Sequence, residues 1–86
     1  MSYVGRNATI CGKIAQAKQT NKALFINFGG IYPNHKFTNV IFNSYIGEFI
    51  DVKFNVGDEL CTNGIIEVYK GVPEIVLKNR RQIVNK

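Results

Sequence analysis

Apolar and polar residues alternate along much of the chain, with the period of two that is typical of β-strands with one buried face. Five stretches rich in β-branched and aromatic residues are separated by turn-forming residues. The first and fourth stretches contain an interior glycine, Gly12 and Gly64, which indicates a bulge or bend of the kind that a small barrel needs. The predicted strands are residues 7–19, 23–28, 37–42, 59–70 and 73–77.

One segment, residues 44–51, departs from this alternation. Its apolar residues Ile46, Phe49 and Ile50 are spaced i, i+3 and i+4, as on the buried face of a helix, and Ser44 is a candidate N-cap. The spacing predicts a short helix of about two turns.

The predicted order is three strands, a short helix and two strands, which is the order of the five-stranded OB-fold barrel. We therefore predict an all-β OB-fold; an SH3-like barrel is the main alternative, although it would not usually have a helix in that position. A length of 86 residues, of which 45% are hydrophobic, suits one small domain, residues 1–86. The basic carboxyl-terminal segment, residues 78–86, either adds a short strand through Ile83 and Val84 or forms a loose tail.

Charge is distributed unevenly along the chain, whose net charge is +5. Residues 1–47 contain five basic residues and no acidic one, residues 48–59 have a net charge of −3, and residues 60–86 one of +3. Because acidic residues are concentrated in one segment, most of the remaining surface is expected to be positive, which favours a polyanionic partner such as nucleic acid.

The sequence carries no leader-like start and no apolar stretch near the roughly 20 residues of a membrane helix, so a cytoplasmic protein without a membrane partner is expected. The cysteines Cys11 and Cys61 do not form a CxxC pair, and with one histidine, His35, the chain lacks a zinc-ligand pattern. In a reducing cytoplasm free thiols are expected, with a strand-to-strand disulfide as the alternative. No cofactor or metal is predicted.

Several motifs together resemble a known family. They are ATICGKI in the first strand, LFINFGGIYPN, the VIF of the third strand, VGDELCTNGIIEVYKG, PEIVL and the closing QIV. The combination is similar to small bacterial OB-fold domains related to the anticodon-binding barrels of aminoacyl-tRNA synthetases, and it covers nearly the whole chain. The resemblance implies binding of nucleic acid, most often of single strands. The acidic segment between the third and fourth strands departs from the family pattern, so no specific biological role is implied.

The usual binding surface of an OB barrel is the outer face of its second and third strands, together with two flanking loops. Such surfaces combine basic groups, which follow the phosphates, with aromatic rings that stack on bases. On the second strand Leu24, Ile26 and Phe28 form a uniformly apolar face. Phe25 and Asn27 are therefore predicted to face outward.

The third strand has apolar residues on both faces, so alternation alone does not orient it. By analogy with the second strand, Val40 and Phe42 are placed inward and Phe37 and Asn39 outward. Each proposed binding residue also has a purely structural alternative, as a solvated charge or as a ring packed under a loop. The predicted nucleic-acid-binding residues are Lys13, Lys18, Lys22, Phe25, Asn27, Tyr32, Lys36, Phe37, Asn39, Tyr69, Lys70 and Arg80.

The sequence thus predicts a non-enzymatic protein that binds single-stranded nucleic acid, DNA rather than RNA and with little sequence preference, in DNA replication, recombination or repair. Catalysis is not expected, since the chain contains no P-loop, no GxGxxG motif and no convergent set of catalytic residues. The second hypothesis is a protein-interaction barrel, an accessory or oligomeric subunit whose exposed aromatic residues contact protein. Replication or recombination proteins are further expected partners, and an unpaired edge strand would allow a homodimer.

Overall fold

The computed structural model describes residues 4–86, which fold mostly into β-strands. Within this range there are six strands and two short 3-10 helices, Asn43–Phe49 and Arg80–Gln82. The strands are β1 (Asn7–Gln19), β2 (Ala23–Phe28), β3 (Phe37–Phe42), β4 (Glu59–Ile65), β5 (Glu67–Tyr69) and β6 (Val72–Val76).

The strands form one sheet in the order β4–β1–β2–β3–β6–β5. Neighbouring strands are antiparallel except β3 and β6, which are parallel. One part of β1 pairs with β4 and the other with β2, and the register shifts between Ile14 and Gln16. Such a bulge bends a strand, which lets the sheet curl into a half-barrel. The predicted all-β, barrel-like architecture is confirmed.

The predicted count of five strands is wrong, because the fourth predicted strand, residues 59–70, is divided in two. β4 pairs with β1, whereas β5 pairs with β6. The change of partner occurs at Ile66, whose side chain is fully buried and whose backbone N–H donates to the carbonyl of Arg6. Sequence alternation continues through this residue, so it gives no sign that the backbone moves from one neighbouring strand to the other.

The core lies against one face of the curled sheet. Phe28 and Phe37 stack there with ring centroids 5.7 Å apart. A buried polar pair is embedded beside them, in which Thr62 Oγ1 donates to Asn39 Oδ1 over 2.6 Å. Further apolar residues from five strands, the first 3-10 helix and the segments that follow β4 and β6 complete this core: Ile14, Ile26, Ile41, Phe49, Leu60, Ile66, Ile75, Leu77 and Ile83.

The helix predicted in residues 44–51 is a 3-10 helix, Asn43–Phe49, and of its three predicted apolar-face residues Phe49 alone is buried. Phe49 is 2% exposed, whereas Ile50 is 90% exposed. In a 3-10 helix residues three apart share a face, so a residue four apart turns away from it. Ser44 lies within the helix, and the N-cap position is occupied by Phe42, so Ser44 is not the N-cap. Neither helix within residues 4–86 is long and apolar enough to cross a membrane.

The carboxyl-terminal segment is folded onto the sheet. Asn79 and Gln82 form a reciprocal capping box around the second 3-10 helix. Ile83, which follows, is buried and forms an antiparallel bridge with Thr62 of β4. The segment is therefore not a loose tail, but it contains an isolated bridge at Ile83 and no strand through Ile83 and Val84.

The cysteines, expected as free thiols, form a disulfide that joins β1 to β4. Cys11 and Cys61 are directly opposed in the strand register. The backbone N–H of Cys61 donates to Asn85 and its carbonyl accepts from Val84, so neither group is used toward β1. Cys11 and Cys61 are thus a non-hydrogen-bonded pair, the position at which antiparallel strands bring side chains closest. Free thiols were expected because the cytoplasm is reducing. The register of β1 with β4 instead places the two cysteines opposite each other, where they form the disulfide.

Candidate functional site

A groove of about 480 Å³ crosses the face of β2, β3 and β6 that points away from the core. Its walls come from the β1–β2 turn, the β2–β3 loop and the β5–β6 turn. The lining combines aromatic rings, lysines and uncharged polar groups: Lys18, Thr20, Phe25, Asn27, Tyr32, Pro33, His35, Thr38, Tyr69, Lys70, Val72 and Glu74.

The floor of the groove is built from polar residues on adjacent strands. Gln16 of β1 is opposite Asn27 of β2. Asn27 is opposite Thr38 of β3, which is in turn beside Glu74 of β6. Directly paired residues project from the same face of a sheet, so these side chains lie side by side at strand spacings of about 4.8 Å. Asn27, Thr38 and Glu74, all of which line the groove, are called the polar row below.

The orientation of the Asn27 amide is determined by its neighbours. The backbone N–H of Tyr32 donates to Gln16 Oε1 over 2.9 Å, which identifies that atom as the oxygen of the Gln16 amide. Asn27 must then present its amide nitrogen to the same oxygen, and Nδ2 donates to it over 2.8 Å. Asn27 Oδ1, which can only accept, is buried and has no hydrogen-bond partner among the described residues.

Three buried side-chain polar atoms have no hydrogen-bond partner among the described residues, and all three belong to the groove lining. They are Asn27 Oδ1, His35 Nδ1 and Thr38 Oγ1. Leaving a buried donor or acceptor unpaired costs about 1–3 kcal/mol, so native proteins contain few such atoms. Their concentration in one groove indicates a surface that a polar ligand would complete.

Aromatic and basic side chains are paired at the rim. Lys18 Nζ lies 5.1 Å from the ring centroid of Tyr32, and Lys70 Nζ lies 5.4 Å from that of Tyr69. Tyr32 and Tyr69 are 61% and 59% exposed, so both rings retain a free face. Each pair therefore offers a stacking surface and a positive charge at the same point of the rim.

The β5–β6 turn explains the position of Tyr69. Lys70 and Gly71, the two residues between the strands, both have positive φ angles, of 51° and 81°. Positive φ at both central residues is the requirement of the tight type I′ hairpin turn. The turn keeps Tyr69 directly opposite Val72, and both residues line the groove.

The β2–β3 loop brings Tyr32 and His35 to the opposite wall. Gly29 and Gly30 end β2 with positive φ angles of 73° and 139°, which residues with a side chain rarely adopt. The chain can therefore turn sharply toward β1, where Tyr32 donates to Gln16. The rings of Tyr32 and His35 lie 5.8 Å apart between centroids and form one continuous wall.

Glu74, at the end of the polar row, has a perturbed pKa. Burial raises the pKa of its carboxyl group, and the negative charge of Glu67 raises it further. Glu67 is the cross-strand partner of Glu74 on β5. A carboxylate that has lost hydration and faces a like charge is stabilised by a group that donates hydrogen bonds to it.

The structure brings half of the predicted binding residues together. Six of the twelve line the groove: Lys18, Phe25, Asn27, Tyr32, Tyr69 and Lys70. On β2 the predicted orientation is confirmed, since Ile26 and Phe28 belong to the core, whereas Phe25 and Asn27 face the groove.

The orientation predicted for β3 is wrong. Phe37 stacks on Phe28 in the core, and Asn39 is fully buried against Thr62. It is Thr38 that faces the groove. The analogy failed because β3 is covered on both faces, so five of its six residues are buried and apolar character does not distinguish the sides.

Four predicted basic residues lie outside the groove lining. Lys13 is exposed on β1 opposite Glu59, and the exposed Lys22 and Lys36 flank the strands of the groove without lining it. Arg80 forms an ion pair with Asp51 over 3.2 Å and donates to the backbone carbonyl of Lys86. None of these four side chains lines the groove.

The sequence-based set missed six residues of the lining. Thr38 would have followed from the correct orientation of β3, and His35 from the polar loop in which it lies. Glu74 becomes part of the site only because β6 runs parallel to β3, a pairing with no local sequence signal. The missed residues are Thr20, Pro33, His35, Thr38, Val72 and Glu74.

A second group of potential ligand atoms lies on the β1–β4 pair. The ligand atoms of Cys11, Glu59 and Cys61 all lie within 4.8 Å of one another. Because both sulfurs are joined in the disulfide, neither is a thiolate, the form in which cysteine binds metals. In this state the group is a covalent crosslink.

Comparison with known proteins gives a fold and no family. No family model matches the chain, and no curated protein matches its sequence. A solved structure described as "OBody AM1L10 bound to hen egg-white lysozyme" is similar in fold, with a TM-score of 0.66 and 17% sequence identity. The match covers 99% of this chain and 85% of that one. At this identity the likeness establishes a shared architecture.

Proposed function

We propose that this chain is an OB-fold protein that binds single-stranded nucleic acid in the groove across β2, β3 and β6, without catalysis. β4 and β5 then correspond to a single strand of the five-stranded barrel, since only Ile66 separates them. The motifs that resemble anticodon-binding barrels and the shared fold support this assignment. DNA is the form to test first, and the process served would be replication, recombination or repair.

The observation that carries the proposal is the convergence of stacking rings and lysines on one groove. Phe25 lies within it, and Tyr32 and Tyr69 stand at its rim, each with a lysine beside it. Stacking of a base on an aromatic ring contributes about 1–3 kcal/mol and tolerates any sequence. The arrangement supplies several such rings along one path.

The positions of the charged residues support binding of a nucleic-acid strand whose phosphate backbone lies along the rim of the groove. Lys18 and Lys70 are at the rim, where phosphates would pass, whereas the carboxyl group of Glu74 is on the floor. A phosphate would be repelled from the floor and attracted to the rim. Bases would therefore turn toward the floor, as single-strand binding requires.

The alternative is a protein-binding groove. Ile31 and Val68, next to the rim tyrosines, are 58% and 50% exposed, and apolar surface of this kind suits a protein partner. The similar OBody structure is, by its description, bound to lysozyme. A protein partner would depend weakly on salt, whereas a nucleic acid would depend on it strongly.

The test is fluorescence anisotropy of a labelled oligothymidylate titrated with the protein at low and moderate salt. Binding is expected at low salt and should weaken steeply as salt rises, because counterions are released from the phosphates. A duplex of the same length should bind more weakly. Absence of any anisotropy change at low salt would overturn the proposal.

The Tyr32→Ala variant tests the groove itself. It should weaken binding roughly 5- to 150-fold, the equivalent of one lost stacking contact of about 1–3 kcal/mol. Tyr45→Ala is the matched control, because Tyr45 also lies beside a lysine, Lys78, at 5.7 Å but does not line the groove. Equal loss in both variants would mean that the groove is not the binding surface.

A further inference from the structure

The polar row has a chemical character that stacking and phosphate contacts leave unexplained. Asn27 Oδ1 is a free acceptor, since the neighbouring hydrogen bonds fix the orientation of its amide. The carboxylate of Glu74 also accepts, and the free hydroxyl of Thr38 between them can donate or accept. The polar row is therefore complementary to a ligand that presents hydrogen-bond donors at two or more adjacent positions.

The four DNA bases differ in the donors that they can offer to such a row. Guanine carries an exocyclic amino group at N2 next to its ring N1–H, which makes two adjacent donors. Cytosine and adenine each offer an exocyclic amino group, whereas thymine presents carbonyl oxygens on either side of one ring N–H. Against Asn27 Oδ1 and the Glu74 carboxylate, the carbonyls of thymine would repel and the donors of guanine would pair.

The residues around the row allow a base to reach it. Phe25 precedes Asn27 by two positions on the same face of β2, about 7 Å along the strand, and both line the groove. A base stacked on Phe25 would therefore have its edge near the row. His35, whose Nδ1 is also unpaired among the described residues, lies on the adjoining wall.

We propose that the polar row reads the edge of one base of the bound strand and selects guanine over thymine. This inference rests on the proposed function, and it assigns base selectivity to one position of a groove whose other contacts are independent of sequence. The two oxygens of the Glu74 carboxylate accept from N1–H and from the N2 amino group, and the second hydrogen of that amino group points along the row toward Thr38 and Asn27. The site is thus a guanine-selective subsite within a single-strand groove.

The test compares two oligonucleotides of about nine nucleotides, a length within the site size of one such barrel. One is oligothymidylate, and the other has a single central dG in place of dT. The wild-type protein should bind the dG oligonucleotide at least about fivefold more tightly, the lower end of the discrimination that a bidentate contact gives. Equal affinity for the two would overturn the inference while leaving the proposed function intact.

Two variants assign the preference to the row. Glu74→Gln, in which the carboxylate becomes an amide of the same shape, should lose most of the dG preference, measured as the ratio of its affinities for the two oligonucleotides. Glu67→Gln removes the same charge from the cross-strand partner, which is exposed and does not line the groove, and should keep the preference.

Thr38→Val provides a further probe of the row should Glu74→Gln fold poorly, and it should reduce the preference. A dG preference that survives both Glu74→Gln and Thr38→Val would overturn the assignment to the row. Failure of the wild-type protein to bind either oligonucleotide would instead overturn the proposed function.

Discussion

Single residues of the polar row lower the stability of the folded protein. Asn27 Oδ1 and Thr38 Oγ1 are buried without partners within residues 4–86, and Glu74 faces the like charge of Glu67. Each arrangement makes the folded state less stable than an apolar or fully paired equivalent would be. Such costs are typical of residues that a ligand completes, and they give the row properties that can be measured without the ligand.

Stability should depend on pH through Glu74. Its pKa in the folded state lies above the ordinary value of 4.5, so between the two values the folded protein binds more protons than the unfolded one. The free energy of unfolding should therefore fall as the pH rises through this range. Other charged or titratable residues of the groove include Lys18, Lys70 and His35. They are present in both the wild type and the Glu74→Gln variant, so a difference between the two proteins reports on Glu74.

Glu74→Gln should remove this dependence. The variant should be more stable than the wild type at pH 7, by about 0.2–1 kcal/mol for the relieved like-charge pair, and the difference should shrink below pH 4.5. Urea unfolding at both pH values measures the difference. Glu48→Gln, which removes an exposed charge on the first 3-10 helix, is the control. An equal difference at both pH values would contradict the assignment.

At the scale of elements, β1 organises the barrel because it is shared by both halves of the sheet. Gly12 lies where β1 crosses Phe28 of β2, and a Cβ atom there would come within 2.7 Å of the Phe28 ring. The absence of a side chain allows the core ring to pack directly against the backbone. Two residues later the register shift at Ile14 turns the strand toward β2.

Gly12→Ala should therefore destabilise the fold. The added methyl group must displace Phe28 and disturb its stack with Phe37, and overpacking of this kind costs about 1–3 kcal/mol. Gly47→Ala is the control, since a Cβ atom at Gly47 would meet nothing within 4 Å. The midpoints of urea unfolding for the two variants and the wild type test this. A Gly12→Ala midpoint equal to that of wild type would show that the ring contact does not constrain β1.

At the scale of the whole molecule, covalent and hydrogen-bonded links hold distant parts of the chain on β4. The disulfide joins residues separated by 50 positions, and beside it the Asn85 side chain bonds the backbone of Glu59 and Cys61. The first strand and the carboxyl-terminal segment thus pack on opposite edges of the same strand. The groove lies elsewhere, on β2, β3 and β6.

Reduction of the disulfide should lower the free energy of unfolding by about 2–4 kcal/mol, because a crosslink over this separation restricts the unfolded chain. Urea unfolding with and without dithiothreitol measures the change, and a Cys11→Ser/Cys61→Ser variant should be insensitive to the reductant. Oligonucleotide binding should survive reduction in protein that remains folded. Two free thiols in native protein prepared without reductant would contradict the crosslink.

Several parts of this protein follow from local pattern in its sequence. Alternation located β1, β2 and β3 at their observed bounds and oriented β2, because one face of that strand is uniformly apolar. The residues of both rim pairs were among the predicted binding residues, and Tyr69 and Lys70 are neighbours in sequence, whereas the contact of Lys18 with Tyr32 joins β1 to the β2–β3 loop and was not predicted. The predicted features are encoded within a few residues of where they occur.

Tertiary structure decided what depends on partners far apart in the chain. Burial of both faces of β3 reversed its predicted orientation, and the register of β1 with β4 paired the cysteines. The parallel alignment of β6 with β3 placed Glu74 beside Thr38 and completed the polar row. Alternation along a strand shows that the strand has two faces. The elements packed on each face determine which one is buried in the core and which one lines the groove. Hence the sequence predicted the rim of the groove, and the fold determined its floor.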